Sequence, residues 1–291
     1  MHEIFHTVIH CLEHALEHNI KLLPFLFLTY LLMEFLEHKA GHKSNKIIKN
    51  SGSFGPLLGG AVGAAPQCGF SAAASSLYAG KVITMGTLIA IYLSTSDEML
   101  PIFISEAVGV KTIVKVLGLK ILLGVVTGYI VDAIYKLVKH KEKEEMDIHA
   151  MCEHEHCNCK DGILKSAIKH TIKIFIFILI VSFAINMAVE LIGEDTLGSA
   201  LTKVPFLSVV IAAIIGLIPN CAASVVITRL YLEGMISAGA MMSGLLVGAG
   251  IGLAILFRTN KNKKENGIIV ATLFGSGVLW GILIDIIGIT L

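Results

Sequence analysis

The chain has 291 residues, of which 55% are hydrophobic and only 15% charged, for a mean hydropathy of +0.78. A soluble domain of this length carries roughly a quarter of its residues as charges, so composition excludes an ordinary soluble protein. The formal net charge of +1 points to no partner and offers no nucleic-acid surface; the distribution of the charges says more.

Residues 1–20 predict a His-rich amphipathic helix on the extracytoplasmic side. His2, His6, His10, His14 and His18 recur every fourth residue, with Glu3, Cys11, Glu13 and Glu17 between them. On a helix, positions i and i+4 share a face and can share a metal ion. Each step drifts by about 40°, so the stripe makes several two-ligand sites rather than one large one. Histidines and glutamates stand where a cleavable signal would have a basic start and an apolar centre, so no such signal is expected.

Residues 21–138 form a first membrane unit. Leu22–Phe35 is an apolar run, as are Ile172–Val189 and Ile268–Ile289 further on, each about long enough for a helix to cross the roughly 30 Å hydrocarbon layer. Alternating ten-residue strands of a barrel are absent, so the spans are helices. Two segments are broken: Phe54–Ala79 at Pro66, and Val82–Gly109 at Ser94-Thr-Ser-Asp-Glu98. Their pieces, about 11–16 residues, are too short to span singly. They predict either interrupted helices or re-entrant hairpins. Irregular backbone at membrane depth is tolerated only where it is buried in protein or lines a cavity.

Residues 139–170 are a polar linker, and 171–291 a second membrane unit. The linker carries His149, Cys152, His154, His156, Cys157 and Cys159, a thiol- and imidazole-rich tract suited to soft divalent ions and to the reducing cytoplasm. Its spacing is not that of a zinc finger, and a labile acceptor fits so short a tract better. The bland alternatives are a solvated loop for the linker and an expression tag for the N-terminal stripe.

The second unit repeats the first at a constant offset of 153 residues. Pro66-Gln67-Cys68 and Ser71 fall on Pro219-Asn220-Cys221 and Ser224; Tyr78 falls on Tyr231, Gly86 on Gly239, Gly128 on Gly281 and Asp132 on Asp285. Equivalent loops differ in charge. Lys39, Lys43, Lys46 and Lys49 contrast with Glu194, Asp195 and a single Lys203, whereas Arg258, Lys261, Lys263 and Lys264 contrast with Glu106 and Lys111. Cytoplasmic loops hold the excess of Lys and Arg, so the copies are expected to face opposite ways, five segments each. Both termini then lie outside and the linker in the cytoplasm of a multi-pass inner-membrane protein. Inverted repeats with broken segments at matching places are the pointer to a transporter's substrate site.

That places Pro66, Gln67, Cys68 and Ser71, with Pro219, Asn220, Cys221 and Ser224, as lining residues: proline frees a carbonyl one turn earlier, and amide, thiol and hydroxyl groups stand beside it. The competing reading is a packed kink with Cys as a small core residue. Asp97 and Glu98 have no acidic counterpart in Val247–Ile251, and intramembrane acids mark ion or proton routes; an external loop is the alternative. Glu34, Asp132, Asp285 and Arg229 are weaker candidates, the two aspartates equally suited to helix ends.

The segments Gly216–Ser224, Leu230-Tyr231, Gly239–Gly248 and Leu256-Phe-Arg258, together with Thr95–Glu98 and Pro101, resemble the ten-transmembrane heavy-metal exporter family, whose members carry names such as arsenic efflux protein and manganese transporter. The Pro-x-Cys element is also similar to that of organoarsenical permeases. The resemblance implies efflux of a metal or metalloid ion.

The expectation is therefore an all-α integral membrane protein of about ten segments in two inverted repeats. It would export a Mn²⁺- or Zn²⁺-like ion by alternating access, the metal being cargo and no cofactor being required. Its partners are the lipid bilayer and the metal or metalloid, with homo-oligomerisation left open. A nucleotide is not among them, because glycine-rich Gly55–Gly63 lacks the Lys-Ser/Thr of a P-loop. An arsenite or organoarsenical permease is the nearest rival. A channel or an intramembrane enzyme using Ser224 and Arg229 is remote.

Overall fold

The computed structural model describes residues 54–65, 68–96, 98–138, 163–192 and 205–289, with scattered helical residues between Leu16 and Leu31. Every regular element among them is an α-helix. In chain order they are α1 (Gly55–Gly63), α2 (Cys68–Ala79), α3 (Met85–Ser94), α4 (Met99–Ser105), α5 (Val110–Val138), α6 (Ile163–Ile192), α7 (Pro205–Gly216), α8 (Cys221–Leu232), α9 (Ala238–Val247), α10 (Gly252–Thr259) and α11 (Lys263–Ile287). Both ends of α2 and α3 return in α8 and α9 after 153 residues, and the starts of α4 and α5 return in α10 and α11.

Among the described residues, four stretches are long and apolar enough to cross a membrane: Met85–Ser105, Val110–Val138, Ala238–Thr259 and Lys263–Ile287. The first and third are the broken pairs α3–α4 and α9–α10, and they are mostly buried. All of α3 and, from Gly239 on, all of α9 lie inside the protein. Around them, α5 and α11 turn Leu122, Ile130, Ile134, Leu279 and Ile286 outward, a surface that needs lipid rather than water. A second core gathers Tyr30, Ala72, Ala167, Ile174, Ile178, Ile251 and Ile255 between α2, α6 and α10.

Lipid tails are as apolar as leucine, so these helices associate through close packing at small residues. Within each copy the central helix packs against both flanking ones: α3 on α1 and α5, α9 on α7 and α11. At the tightest point a Cβ on Gly86 would strike the Gly128 carbonyl, and one on Gly128 would lie 2.5 Å from the Gly86 carbonyl. Gly239 and Gly281 repeat this contact.

Beside that contact an aspartate binds the start of the central helix. Asp132 accepts from Gly86 N and from Thr84 Oγ1, both at 2.8 Å, while Thr84 caps α3 by accepting from Thr87 N. In the second copy Asp285 accepts from Gly239 N at 2.8 Å and from Ser237 Oγ at 2.7 Å, and Ser237 accepts from Ala240 N. The first amides of a helix have no intrahelical acceptor. Here a carboxylate from the far end of the neighbouring helix supplies one, with the charge favoured by the helix dipole. Both aspartates thus sit at helix ends, as one of the two sequence readings has it.

Between copies the packing is reciprocal. Helix α2 packs on α10, and its counterpart α8 packs on α4; α3 meets α9 directly. Trp280 Nε1 donates to Thr127 Oγ1 at 3.0 Å, and these two residues are themselves counterparts, 153 positions apart.

Asp132→Ala and Asp285→Ala each remove one acceptor from two donors, and loss of a cap of this kind costs about 1–2 kcal/mol, more where a buried donor is left unsatisfied. Both variants should unfold at lower temperature in detergent than the parent, by comparable amounts. An unchanged midpoint in both would show that the clamp does not hold the central helix of each copy to its neighbour.

Candidate functional site

Helix breaks separate α1 from α2, α3 from α4, α7 from α8 and α9 from α10; Ser96 of the second bonds Ala64 at the first, and a Cβ on Gly248 of the fourth would lie 3.9 Å from the Gly216 carbonyl at the third. Each leaves carbonyls without an i+4 amide and amides without an i−4 carbonyl. In the first copy hydroxyls add to the backbone bonds at the end of α3, where the Ile91 carbonyl also accepts from Thr95 N at 3.0 Å. Ser94 Oγ donates to Ala90 O at 2.7 Å and to Ile91 O at 3.1 Å, and Thr95 Oγ1 donates to Ile91 O at 2.7 Å. Ser96 Oγ donates across to Ala64 O at 2.8 Å, tying one break to the other. Ser94, Thr95 and Ser96 are all buried.

The two copies then share a polar seam. Ser75 Oγ lies 2.7 Å from the Ser71 carbonyl, from the Gly252 carbonyl and from Tyr92 Oη. It therefore links α2 both to α3 in its own copy and to the start of α10 in the other. Its counterpart Thr228 donates to Ser224 O at 2.6 Å. Gly252 is at van der Waals limit: a Cβ there would be 2.9 Å from both Ser71 Cβ and Ser71 O.

Of the lining residues expected from sequence, Ser71 and Ser224 are buried on α2 and α8. Pro219 and Asn220 form the α7–α8 break, where Asn220 Oδ1 caps α8 by accepting from Ala222 N at 3.4 Å. Cys68 and Cys221 are the first residues of α2 and α8, at matching positions of the two breaks. Glu98 is the half-buried residue preceding α4. Pro66, Gln67 and Asp97 lie outside the described residues. So do His2, His6, His10, His14 and His18 of the N-terminal stripe, and His149, Cys152, His154, His156, Cys157 and Cys159 of the linker. Among the described residues no three His, Cys, Asp or Glu side chains gather as a metal site.

Sequence reasoning missed two charged features. Lys120, in the middle of α5, is 1% exposed and donates from Nζ to Leu245 O at 2.6 Å. Leu245 is in the last turn of α9, so the ammonium spans from one copy to the carbonyl end of the other copy's broken helix. A cation at such depth costs about 2.5–3.5 kcal/mol on insertion scales, and its counterpart by the repeat is the apolar Leu273. A lysine within an apolar run was the available signal. The second feature is Lys81, whose backbone is left-handed at φ 58 where its counterpart Gly234 has φ 72. Its Nζ is 3.5 Å from Glu265 Oε2 at the start of α11, and Tyr78 Oη donates to the same oxygen at 3.4 Å.

Against known proteins, a family model described as "Putative, 10TM heavy-metal exporter" matches residues 10–193. The match takes in the first copy, the linker and the opening of the second; Gly216–Arg258, where the motif resemblance is most specific, lies beyond it. No curated protein and no solved structure matches the chain.

Gly252→Ala should destabilise the seam by roughly 1–3 kcal/mol, the usual range for a methyl forced into a filled space. Gly275→Ala, whose Cβ meets open space on α11, should be neutral or stabilising by up to about 1 kcal/mol. Thermal unfolding of the two variants in the same detergent checks the contrast. Equal midpoints would mean that α2 and α10 are not in contact.

Proposed function

Because the chain belongs to the family of 10TM heavy-metal exporters, matched over well over half its length, we propose that it exports a divalent transition metal, Mn²⁺- or Zn²⁺-like, across the cytoplasmic membrane. Export proceeds by alternating access between two inverted copies and draws on an ion gradient. The observation that carries this reading is the polar seam at the broken helices, where Ser75 of one copy meets the Gly252 carbonyl at the start of α10 in the other and Ser96 ties the α3–α4 break to Ala64.

Inversion is supported by which helix ends lie together. The C-terminal end of α5 is held at the start of α3 through Asp132. Three residues before Thr84, Lys81 reaches Glu265 in the first turn of α11. The end of α5 and the beginning of its counterpart α11 therefore lie on the same side, as an axis in the membrane plane requires. That side also carries Lys136, Arg258, Lys261, Lys263 and Lys264, the composition of a cytoplasmic face.

In this mechanism Cys68, Cys221, Gln67 and Asn220 line the central site, with Pro66, Pro219, Ser71 and Ser224 shaping the backbone around it. Asp97 or Glu98 binds the cation or the coupling proton. The linker residues His149, Cys152, His154, His156, Cys157 and Cys159 collect ions in the cytoplasm, and the histidine stripe meets them outside. Mixed oxygen, nitrogen and sulfur donors do not choose among metals, since affinity follows the general divalent series. Paired thiols at matching helix starts favour one second reading, an arsenite or organoarsenical permease.

Counterflow in proteoliposomes across Mn²⁺, Zn²⁺, Fe²⁺, Cd²⁺ and arsenite, with and without a proton gradient, tests the reading; no flux of any of them would sink it. Asp97→Asn or Glu98→Gln should abolish net export and flatten its pH profile, because a carboxylate that exchanges a proton for the cation is lost. Cys68→Ser and Cys221→Ser should weaken affinity more for Zn²⁺ or Cd²⁺ than for Mn²⁺. Unchanged affinity in both would remove the thiols from the site. Cysteines at Ser44 and Asn262 should be labelled only from the cytoplasm, and one at Thr196 only from outside; labelling of Ser44 and Thr196 from one face refutes inversion.

A further inference from the structure

Lys120 stands apart from every residue in the reading above. It is the buried cation of α5, it belongs to one copy only, and it is bound to the carbonyl end of the other copy's broken helix. Its depth can be read from packing. Helices α3 and α5 run antiparallel: Gly86 lies against Gly128, while a Cβ on Gly124 would be 3.4 Å from Ser94 N and 2.9 Å from Ala90 O. One turn before Gly124, Lys120 is therefore level with the α3–α4 break at 95–98. Its partner Leu245 is three residues short of the α9–α10 break. The ammonium thus occupies the depth at which both broken helices are interrupted.

The ends of broken helices are where carbonyl oxygens accept cations. At the end of α9 that acceptor is already filled by a side-chain cation. In the other half of the molecule the equivalent place pairs Leu273 with Tyr92, and there is no charge. From this geometry we infer that Lys120 is a second coupling group beside the acid of the α3–α4 break, taking the part of a monovalent cation at the α9 carbonyl end: it holds a proton while the metal site is empty and gives it up when the metal enters. The inference rests on the transport reading above. In one cycle the ammonium loses a proton to cytoplasmic water as the divalent ion binds at the breaks. It regains one from the outer side as the ion departs, so this group carries one proton inward in each cycle.

Titratable groups on the surrounding elements are few. Helices α1 and α9 carry none. Helix α3 contributes Tyr92, which is bound to Ser75. Asp132 on α5 itself is engaged by Thr84 and Gly86, and on α11 Glu265 and Asp285 lie near the two ends, with Lys263 and Lys264 beside the first. The α3–α4 break contributes Glu98, the half-buried residue before α4. A protonatable lysine at this level is thus placed to exchange its charge against that of an incoming cation.

The simpler alternative is a structural lysine that only satisfies the Leu245 carbonyl. Two variants separate them: Lys120→Arg keeps a cation and its donors but does not release a proton, and Lys120→Gln keeps a donor without charge. In proteoliposomes loaded with Mn²⁺, both should lose proton-driven uphill Mn²⁺ movement by at least about tenfold, and the pH profile of the residual downhill flux should flatten. Wild-type pH dependence and uphill export in the arginine variant overturn the proposal, because a structural role would be rescued by Arg. Should the glutamine variant not be recovered as monodisperse protein, the arginine variant decides alone. Absence of Mn²⁺, Zn²⁺ and Cd²⁺ flux in the wild type overturns the transport reading and the coupling role together. Wild-type flux with an unaltered arginine variant overturns the coupling role only.

Discussion

A helix interrupted inside hydrocarbon leaves backbone groups that no water can satisfy, each at a cost of several kcal/mol. That constraint accounts for part of the polar chemistry at the centre of this protein. Ser96 donates to the Ala64 carbonyl just past the end of α1, and Asn220 and Ser237 accept the first free amides of α8 and α9. Each such bond is worth only about 0.5–1.5 kcal/mol net. Their importance lies in the penalty they avoid, and it explains why the breaks lie against one another instead of facing lipid.

The copies agree where they build and differ where they carry charge. Thr84 and Ser237 cap, Asp132 and Asp285 clamp, and Gly86–Gly128 and Gly239–Gly281 pack alike. Glu98 corresponds instead to Ile251, Lys120 to Leu273, Lys81 to Gly234 and Glu265 to Thr112. Scaffold needs are the same in both halves, because both must hold a broken helix against a long one. Ionisable groups buried in a membrane are costly, so a charge present in one copy alone is not explained by scaffold.

Much of the scaffold was legible in the sequence. A constant offset across Pro, Cys, Gly and Asp gave matching helix bounds, and one helix ends at Gly63 and the next starts at Cys68, one ends at Ser94 and the next starts at Met99, with the same pattern at their counterparts. The aspartate clamp was only half legible, since the sequence placed Asp132 and Asp285 at helix ends but could not say which amides they would meet. That depends on α5 running antiparallel to α3, a tertiary fact. Lys120 escaped notice because α5 also carries Lys111 and Lys115 near its start, and hydropathy alone does not separate a lysine at the interface from one pointing inward. The histidine stripe and the linker thiols were legible as chemistry, and they lie outside the described residues.

The unequal charges also bear on the direction of transport. If two inverted copies exchange conformations to open first one mouth and then the other, identical copies would populate both states equally. The Lys81–Glu265 pair, with Tyr78 beside it, closes contacts on one side only, because Gly234 and Thr112 stand at the equivalent places. The left-handed backbone of Lys81 ends α2 as that of Gly234 ends α8, so it belongs to the scaffold and not to the pair. A partly exposed pair contributes about 1 kcal/mol at most, so the resting bias is less than tenfold. An equilibrium that shallow is tipped by any ligand with modest preference for one state. The fold therefore leaves the choice of direction to the ions that bind it, and the ionisable side chains placed to respond to their charge are the ones the second copy lacks.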